Sequence, residues 1–224
     1  MRSSATSAPA TELPRTLLVD CYPERMKSKV DYYREMLAPL TALDVLDYRA
    51  TGAGTPTRGY DAVVLSGAPI MLTREHAPDG VAAFAAGLAL PTLGICFGHQ
   101  LLGVVNGAAM DRHDFYEGEG RIRVIEPGEL FAGMGRELVV CESHAEFLLR
   151  ESVERTGWEV LADSGDCPVE AMRHRSRLLF GVQFHPERSG ETGRRVVENF
   201  YRNVVARELS GRKARALERR PPGG

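Results

Sequence analysis

The first half of the chain alternates short apolar runs with longer segments in which apolar residues recur at helical spacing. Strand-like runs lie at 16–20, 43–48, 61–65 and 91–95. Helix-like segments lie at 26–37, at 80–88 and from residue 101 onward. Because these strands are almost continuously apolar, they are expected to pair in a parallel sheet that helices cover on both faces. Ligands of such sheets gather at the carboxyl ends of the strands.

The second half lacks this alternation of strands and helices, since its strand-like segments follow one another with mostly short connections. They lie at 122–125, 138–141, 159–162, 169–172 and 178–182. Short connections favour antiparallel pairing, so the sheet is expected to gain an antiparallel extension. A last helix is predicted over 193–209, where valines and a phenylalanine recur at helical spacing. The predicted fold is a single three-layer α/β domain with a central, mostly parallel sheet and this extension.

Composition divides the chain into one domain and two tails. With 224 residues and 43% hydrophobic composition, the chain suits one compact domain, predicted at 15–209. Residues 1–14 are rich in Ser, Ala, Thr and Pro and are expected to form a flexible tail. Residues 210–224 follow the break Ser210-Gly211, are basic, and are expected to be disordered. The alternative for this second tail is contact with a partner or an anionic ligand.

Charge and cysteine usage exclude several classes of protein. The formal net charge is −2 with 26% charged residues, so no nucleic-acid or membrane partner is expected. The four cysteines lack CxxC spacing, and the first twenty residues lack the apolar core of a secretory signal. No apolar run approaches the roughly 20 residues of a membrane-spanning helix. We therefore expect a soluble, reduced, cytoplasmic protein.

Candidate chemistry begins at a tight turn between a strand and a helix. The stretch PTLGICFGHQLL (91–102) places Cys96 between Gly94 and Gly98, which is the cysteine form of a nucleophile elbow. Side chains at the two glycines would collide with the neighbouring strand and helix. A helix N-terminus also favours the thiolate of Cys96. The alternative for this stretch alone is a buried cysteine on a strand with a glycine turn after it.

A histidine and a carboxylate stand at the end of a later strand. The stretch LLFGVQFHPE (178–187) ends in His185, Pro186 and Glu187. A cysteine nucleophile needs a base to take its proton, and a carboxylate can orient that base. In extended geometry, His185 and Glu187 would point to the same side. The alternative is a polar strand end without chemistry.

The motifs GICFGHQLL and GVQFHPE resemble the two signatures of class I glutamine amidotransferases, whose fold is flavodoxin-like. The resemblance covers about residues 16–207, and CPVEAMRH (167–174) is most similar to the glutaminase portion of GMP synthetases. It implies that Cys96 attacks the carboxamide of L-glutamine, that His185 shuttles protons and that Glu187 orients His185. A γ-glutamyl thioester would form, ammonia would leave, and water would release glutamate.

The same chemistry requires backbone donors for the oxyanion of the tetrahedral intermediate. The amide of Phe97, directly after the nucleophile, is one candidate. The second is expected from LSGAP (65–69), where the family usually has two glycines before the proline and this chain has Gly67 and Ala68. Ala68 can serve if its φ is negative, so the choice between these two residues is open.

Substrate contacts are implied by two further matches to the family. Gln100 corresponds to a glutamine that helps to hold the substrate. Ser143, His144 and Ala145, followed by Glu146, resemble a loop whose backbone grips the amino-acid end of glutamine. His99 and His144 lack zinc-ligand spacing. No metal and no cofactor is therefore expected.

The destination of the ammonia is not specified by this chain, which has no GxxxxGK[ST] loop and no dinucleotide fingerprint. We expect a glutaminase subunit that serves a separate ATP-dependent synthetase, of GMP-synthetase type by resemblance. One alternative is a free-standing hydrolase of γ-glutamyl amines or peptides, and another is a non-catalytic regulatory subunit. Residues 112–120 are expected to form a surface connection, with a partner-facing loop as the alternative.

Overall fold

The computed structural model describes residues 12–218, apart from the side chain of residue 217. Most of the predicted N-terminal tail, residues 1–11, and the last residues, 219–224, lie outside this range. None of the helices within it is both long and apolar enough to cross a membrane.

One half of the sheet is parallel, as the apolar runs predicted. It consists of β1 (Arg15–Asp20), β2 (Ala42–Asp47), β3 (Ala62–Leu65), β4 (Thr92–Ile95) and β9 (Leu179–Val182). The spatial order is β2-β1-β3-β4-β9, and each neighbouring pair is parallel. The carboxyl ends of β4 and β9 are therefore adjacent, which places the residues that follow each strand at one edge of the sheet.

The other half of the sheet is antiparallel, which confirms the predicted extension. It adds β5 (Met110–Val124), β6 (Glu137–Leu148), β7 (Trp158–Asp163) and β8 (Ala171–His174) in the order β9-β8-β7-β5-β6. Residues 112–120 are not a mere surface connection, because they form part of the long strand β5. Residues 143–146, expected in a loop, lie within β6.

Helices cover both faces of the sheet and complete the three predicted layers. They are α1 (Lys29–Leu37), α2 (Asp79–Ala86), α3 (Phe97–Val105), α4 (Arg150–Arg155), α5 (Gly190–Phe200) and α6 (Ala206–Glu218). Alternate residues of each strand face opposite sides, so Leu18 and Val64 pack with α1 and α5, while Leu17 and Val63 pack with α2 and α3. The short helix α4 was not predicted.

The C-terminal helix differs from its prediction, because it does not end at Leu209. After α5 comes a π-helical turn at Tyr201–Val205, and α6 then continues through Ser210-Gly211 to Glu218. Arg212 pairs with Glu208 at 2.9 Å and lies 3.9 Å from Asp61, which directly precedes β3. Such ion pairs add support that the weak helix propensity of Ser-Gly does not provide. Residues 210–218 are therefore helical, whereas a disordered tail was expected.

Helix α5 packs very closely against the short 3₁₀ turn Pro186–Arg188. A Cβ atom added at Gly193 would lie 1.9 Å from the backbone oxygen of Pro186. Only glycine allows the two backbones to approach in this way.

We predict that Gly193→Ala lowers the free energy of unfolding by about 1–3 kcal/mol or more. The added methyl group would clash with the backbone of Pro186, which cannot move aside as a flexible side chain can. Helix propensity alone predicts the opposite sign, a gain of up to about 1 kcal/mol. Urea unfolding measures the difference. Gly87→Ala at the end of α2 is the control, since its Cβ would meet nothing closer than 3.6 Å. A Gly193→Ala protein as stable as the parent would contradict the contact.

Candidate functional site

Cys96 occupies a strained turn between β4 and α3. Its backbone has φ 51° and ψ −106°, and it is the one non-glycine residue within 12–218 with positive φ. A Cβ at Gly94 would lie 2.4 Å from the Gly98 oxygen, and one at Gly98 would lie 2.4 Å from the Leu65 oxygen. The predicted reason for both glycines is therefore confirmed by the packing around the turn.

The Cys96 side chain faces a cavity of about 300 Å³, here called the triad cavity, which His185 and Glu187 also line. The thiol is nearly buried, and its sulfur lies 3.8 Å from the backbone oxygen of Ser143. It stands at the N-terminus of α3, where unpaired amides and the helix dipole favour negative charge. The turn thus presents a thiol at a helix N-terminus to the triad cavity.

His185 and Glu187 meet directly. Nδ1 of His185 lies 2.6 Å from Oε1 of Glu187, and both side chains are buried. His185 itself is extended, but Glu187 belongs to the 3₁₀ turn Pro186–Arg188. The pair therefore forms through a turn rather than through the alternation of an extended strand. The structure brings Cys96, His185 and Glu187 into one cavity from two neighbouring strand ends.

The charges around His185 decide its protonation. Burial by itself lowers the pKa of this imidazole, but the charges of Cys96 and Glu187, and hydrogen bonds to both, raise it. The net pKa of His185 lies well above its ordinary value of 6.5. The ring is therefore held as an imidazolium at neutral pH. A protonated imidazole beside Cys96 can deliver a proton.

The two residues left open for the second oxyanion donor have different surroundings. The N–H of Gly67 donates to the hydroxyl of Tyr33 at 3.0 Å. Burial raises the pKa of Tyr33, so the hydroxyl stays neutral. Ala68 lines the triad cavity, and its φ is not positive, so the strain that would have excluded it is absent. Phe97, as the first residue of α3, has an N–H without a partner in its own helix.

The predicted substrate residues all line the triad cavity. They are Gln100, Ser143, His144 and Ala145. The side-chain nitrogen of Gln100 donates to the backbone oxygen of Glu146 at 3.0 Å and to the side chain of Gln183 at 3.1 Å. These bonds fix Gln100 against β6. His99 points elsewhere, since it is fully buried against Gly181 and burial lowers its pKa to about 3.

Several residues around the cavity were not predicted from the sequence. Tyr22 and Arg188 line it, and Arg188 pairs with Glu117 of β5 at 2.8 Å. Glu146 accepts from the backbone of Leu72 and Thr73 at 2.8 Å each, which anchors the loop after Ala68. Tyr22 follows the carboxyl end of β1, a position where ligand contacts are expected, and this signal was available in the sequence. The Arg188–Glu117 ion pair and the hydrogen bonds of Glu146 to the loop join distant segments, so no local sequence pattern predicted them.

Comparison with known proteins agrees with this geometry. Residues 17–204 match the family described as glutamine amidotransferase class-I. A subunit of the glutamine-hydrolyzing GMP synthase of Saccharolobus solfataricus is 35% identical over 144 residues, covering 63% of this chain and 75% of that protein. A glutamine-hydrolyzing GMP synthase of Listeria innocua is 39% identical over 119 residues, covering 52% of this chain and 22% of that longer protein.

Solved structures share the fold. A crystal structure of a GMP synthase subunit from Thermoplasma acidophilum has a TM-score of 0.76 at 22% identity, covering 91% of this chain and 100% of that one. A glutamine amidotransferase of Thermotoga maritima has a TM-score of 0.59 at 20% identity, covering 89% and 87%. The predicted flavodoxin-like fold, the family resemblance and the enzyme class are therefore confirmed. The chain belongs to the class I glutamine amidotransferases.

Proposed function

We propose that the chain is a glutaminase that hydrolyses L-glutamine to glutamate and ammonia, with Cys96 as nucleophile. The observation that carries this proposal is the buried His185–Glu187 pair at 2.6 Å in the same cavity as the strained Cys96 turn. A nucleophile, a base and an orienting carboxylate are the three parts that covalent acyl transfer needs.

The proposed reaction proceeds in two halves. The Cys96 thiolate attacks the carboxamide carbon, and the carbonyl oxygen becomes an oxyanion. His185 gives its proton to the departing nitrogen, so that the C–N bond breaks, ammonia leaves and a γ-glutamyl thioester remains. His185 then takes a proton from water, which attacks the thioester and releases glutamate and the thiol.

Backbone amides are proposed to stabilise the oxyanion. Phe97 provides one donor from the helix N-terminus, and Ala68 provides the other, because the N–H of Gly67 is engaged by Tyr33. Losing one such donor typically costs about 2.7–4 kcal/mol of transition-state stabilisation. Glu146 holds the loop that follows Ala68 by accepting from Leu72 and Thr73, and through this loop it positions the donor. Gln100 and the backbone of residues 143–145 are proposed to hold glutamine.

The ammonia is proposed to pass to a separate ATP-dependent synthetase, because relatives that match over most of their length are named as subunits of glutamine-hydrolyzing GMP synthases. The acceptor would then be a purine nucleotide with an activated carbonyl. The test is a glutaminase assay of the purified chain, followed by glutamine-dependent amination with a synthetase captured from the source organism. Full amination with ammonium chloride but none with glutamine plus this chain would contradict the pairing.

A free-standing γ-glutamyl hydrolase is the second candidate. The side chains at the rim of the triad cavity support this alternative. Beyond the reactive groups the cavity is lined by apolar and aromatic side chains, which glutamine alone does not need. These are Met26, Tyr32, Ile70, Met71 and Phe115. Larger γ-glutamyl amines would bury apolar surface there. Values of kcat/KM that are higher for such conjugates than for glutamine would favour this alternative.

We predict that an electrophilic analogue of glutamine labels Cys96 alone among the four cysteines. Burial raises the pKa of Cys21 to about 12 and also raises the pKa of Cys141 and Cys167, so these groups stay as thiols. Peptide mass mapping identifies the labelled residue. Excess L-glutamine should slow the labelling. An unlabelled Cys96 in a folded protein would revive the non-catalytic alternative.

Glu187→Gln should shift the pH dependence of catalysis. The Glu187 charge helps to hold the pKa of His185 above its ordinary range, so the variant loses the imidazolium form at lower pH. We expect the alkaline limb of kcat/KM to move to lower pH and kcat to fall by roughly 10²–10⁴-fold. The control is Glu191→Gln, an exposed carboxylate on α5. An unmoved alkaline limb would show that Glu187 does not tune His185.

Tyr33→Phe should impair catalysis by releasing the Gly67 amide and loosening the loop that carries Ala68. Tyr201→Phe is a matched control, because its buried hydroxyl bonds to Thr16 at 2.8 Å, away from the triad cavity. Each variant should lose about 1–3 kcal/mol of stability from an unpaired buried group. Thermal melts and steady-state kinetics separate the two effects. Equal kcat values in both variants would contradict a role for Tyr33 in positioning the loop.

A further inference from the structure

A second cavity, of about 640 Å³, shares Phe115 and His144 with the triad cavity and contains a cluster without an assigned role. Glu142, His144 and Glu170 each direct one ligand atom into it, and the three atoms lie within 4.8 Å of one another. Glu142 and His144 are two apart on β6 and so face the same side, while Glu170 directly precedes β8. Tertiary folding brings the three together from separate segments. We call this group the buried acidic cluster.

Hydrogen bonding determines which atom His144 offers to the cluster. Its Nδ1 lies 3.1 Å from the backbone oxygen of Glu146, and because a carbonyl can only accept, Nδ1 carries the proton. In the neutral ring, Nε2 is then a lone-pair acceptor, and it lies 3.3 Å from Oε2 of Glu142. A ring nitrogen whose opposite N–H is held by a carbonyl is the usual arrangement of a metal-bound histidine.

The two carboxylates find too few donors in the described part of the chain. Both oxygens of Glu142 lack a hydrogen-bond donor, and so does Oε2 of Glu170, although these residues are only 4% and 1% exposed. The remaining oxygen of Glu170 accepts from Ser164 at 2.7 Å. Three carboxylate oxygens without a described donor thus converge in a buried space. Such an arrangement is costly unless a positive species lies among them.

We propose that the buried acidic cluster binds a divalent transition-metal ion of the Zn²⁺ type. Two carboxylates and one imidazole are a familiar ligand set for this ion, and the two carboxylates would balance its charge once the ion has displaced any proton that they share. The separation of 3.3 Å between Nε2 and Oε2 suits two neighbouring ligands of a tetrahedral ion with bonds of about 2.0–2.2 Å. The cavity provides a path of entry and room for a water ligand.

The proposed ion would lie in the second cavity and would reach the triad cavity through a shared residue. His144 contributes to both cavities, and β6 also carries Ser143 and Ala145. A bound ion would therefore tie β6 to the start of β8 and stiffen the strand that is proposed to hold glutamine. The absence of zinc-ligand spacing in the sequence does not bear on this site, because its ligands come from distant segments.

The test is calorimetric titration with ZnCl₂ in a Cys96→Ser background, which removes the thiol of the triad cavity as a competing ligand. Glu170→Gln removes one proposed ligand. Glu119→Gln is the matched control, because Glu119 is an exposed carboxylate that lines the same cavity. We expect one Zn²⁺ per chain in the background protein and in the control. We expect Glu170→Gln to bind at least about 10-fold more weakly, and MgCl₂ to give no comparable binding.

Binding by the background protein that Glu170→Gln leaves unchanged would overturn the proposal, and so would the absence of Zn²⁺ binding. The latter would mean that protons satisfy the cluster instead. If circular dichroism shows that Glu170→Gln does not fold, the visible absorption spectrum of the background protein with Co²⁺ tests the ligand set instead. Visible bands of a four-coordinate oxygen and nitrogen site are expected. A sulfur-to-cobalt charge-transfer band would place the ion on a cysteine, such as Cys167 in the same cavity, and would contradict the proposal.

Discussion

The strained backbone of Cys96 is the constraint on which the site depends. A left-handed conformation costs a non-glycine residue free energy, so the surrounding packing must hold it. Gly94 and Gly98 make this possible, because each allows backbone to approach where a Cβ would lie 2.4 Å from a carbonyl oxygen. The same close approach brings α3 down onto β3 and fixes the helix N-terminus under the thiol. Strand, turn and helix therefore form one rigid unit.

The order of strands supplies the remaining parts of the site. Because β4 and β9 are neighbours, the residues after each strand meet, and Cys96 faces His185 and Glu187. Strand β6 closes the cavity from the side, and Glu146 holds the loop that carries Ala68. Each functional group thus comes from the end of a rigid element or from a loop tied to one. Such anchoring is what positions reactive groups within a fraction of an ångström.

Buried charge is arranged differently in the two cavities that β6 helps to line. In the triad cavity, the ring of His185 lies 2.6 Å from Glu187, and the charges of Cys96 and Glu187 raise its pKa well above the ordinary value. In the second cavity, Glu142 and Glu170 converge with a lone pair of His144, and the described residues offer a single hydroxyl donor. The first arrangement pairs an imidazole with a carboxylate. The second leaves carboxylate oxygens that a cation or protons would satisfy.

The sequence alone was enough to predict the candidate nucleophile with its histidine and carboxylate, the two halves of the sheet and the family, because glycine spacing and hydrophobic period are local signals. Only the tertiary structure decided that Tyr33, 34 residues away, engages the amide of Gly67. It also decided that Glu187 reaches His185 through a 3₁₀ turn and that α6 passes through Ser210-Gly211. The grouping of Glu142 with Glu170 likewise depends on strand order. These features are contacts between distant segments, and local periodicity carries no information about which segments meet.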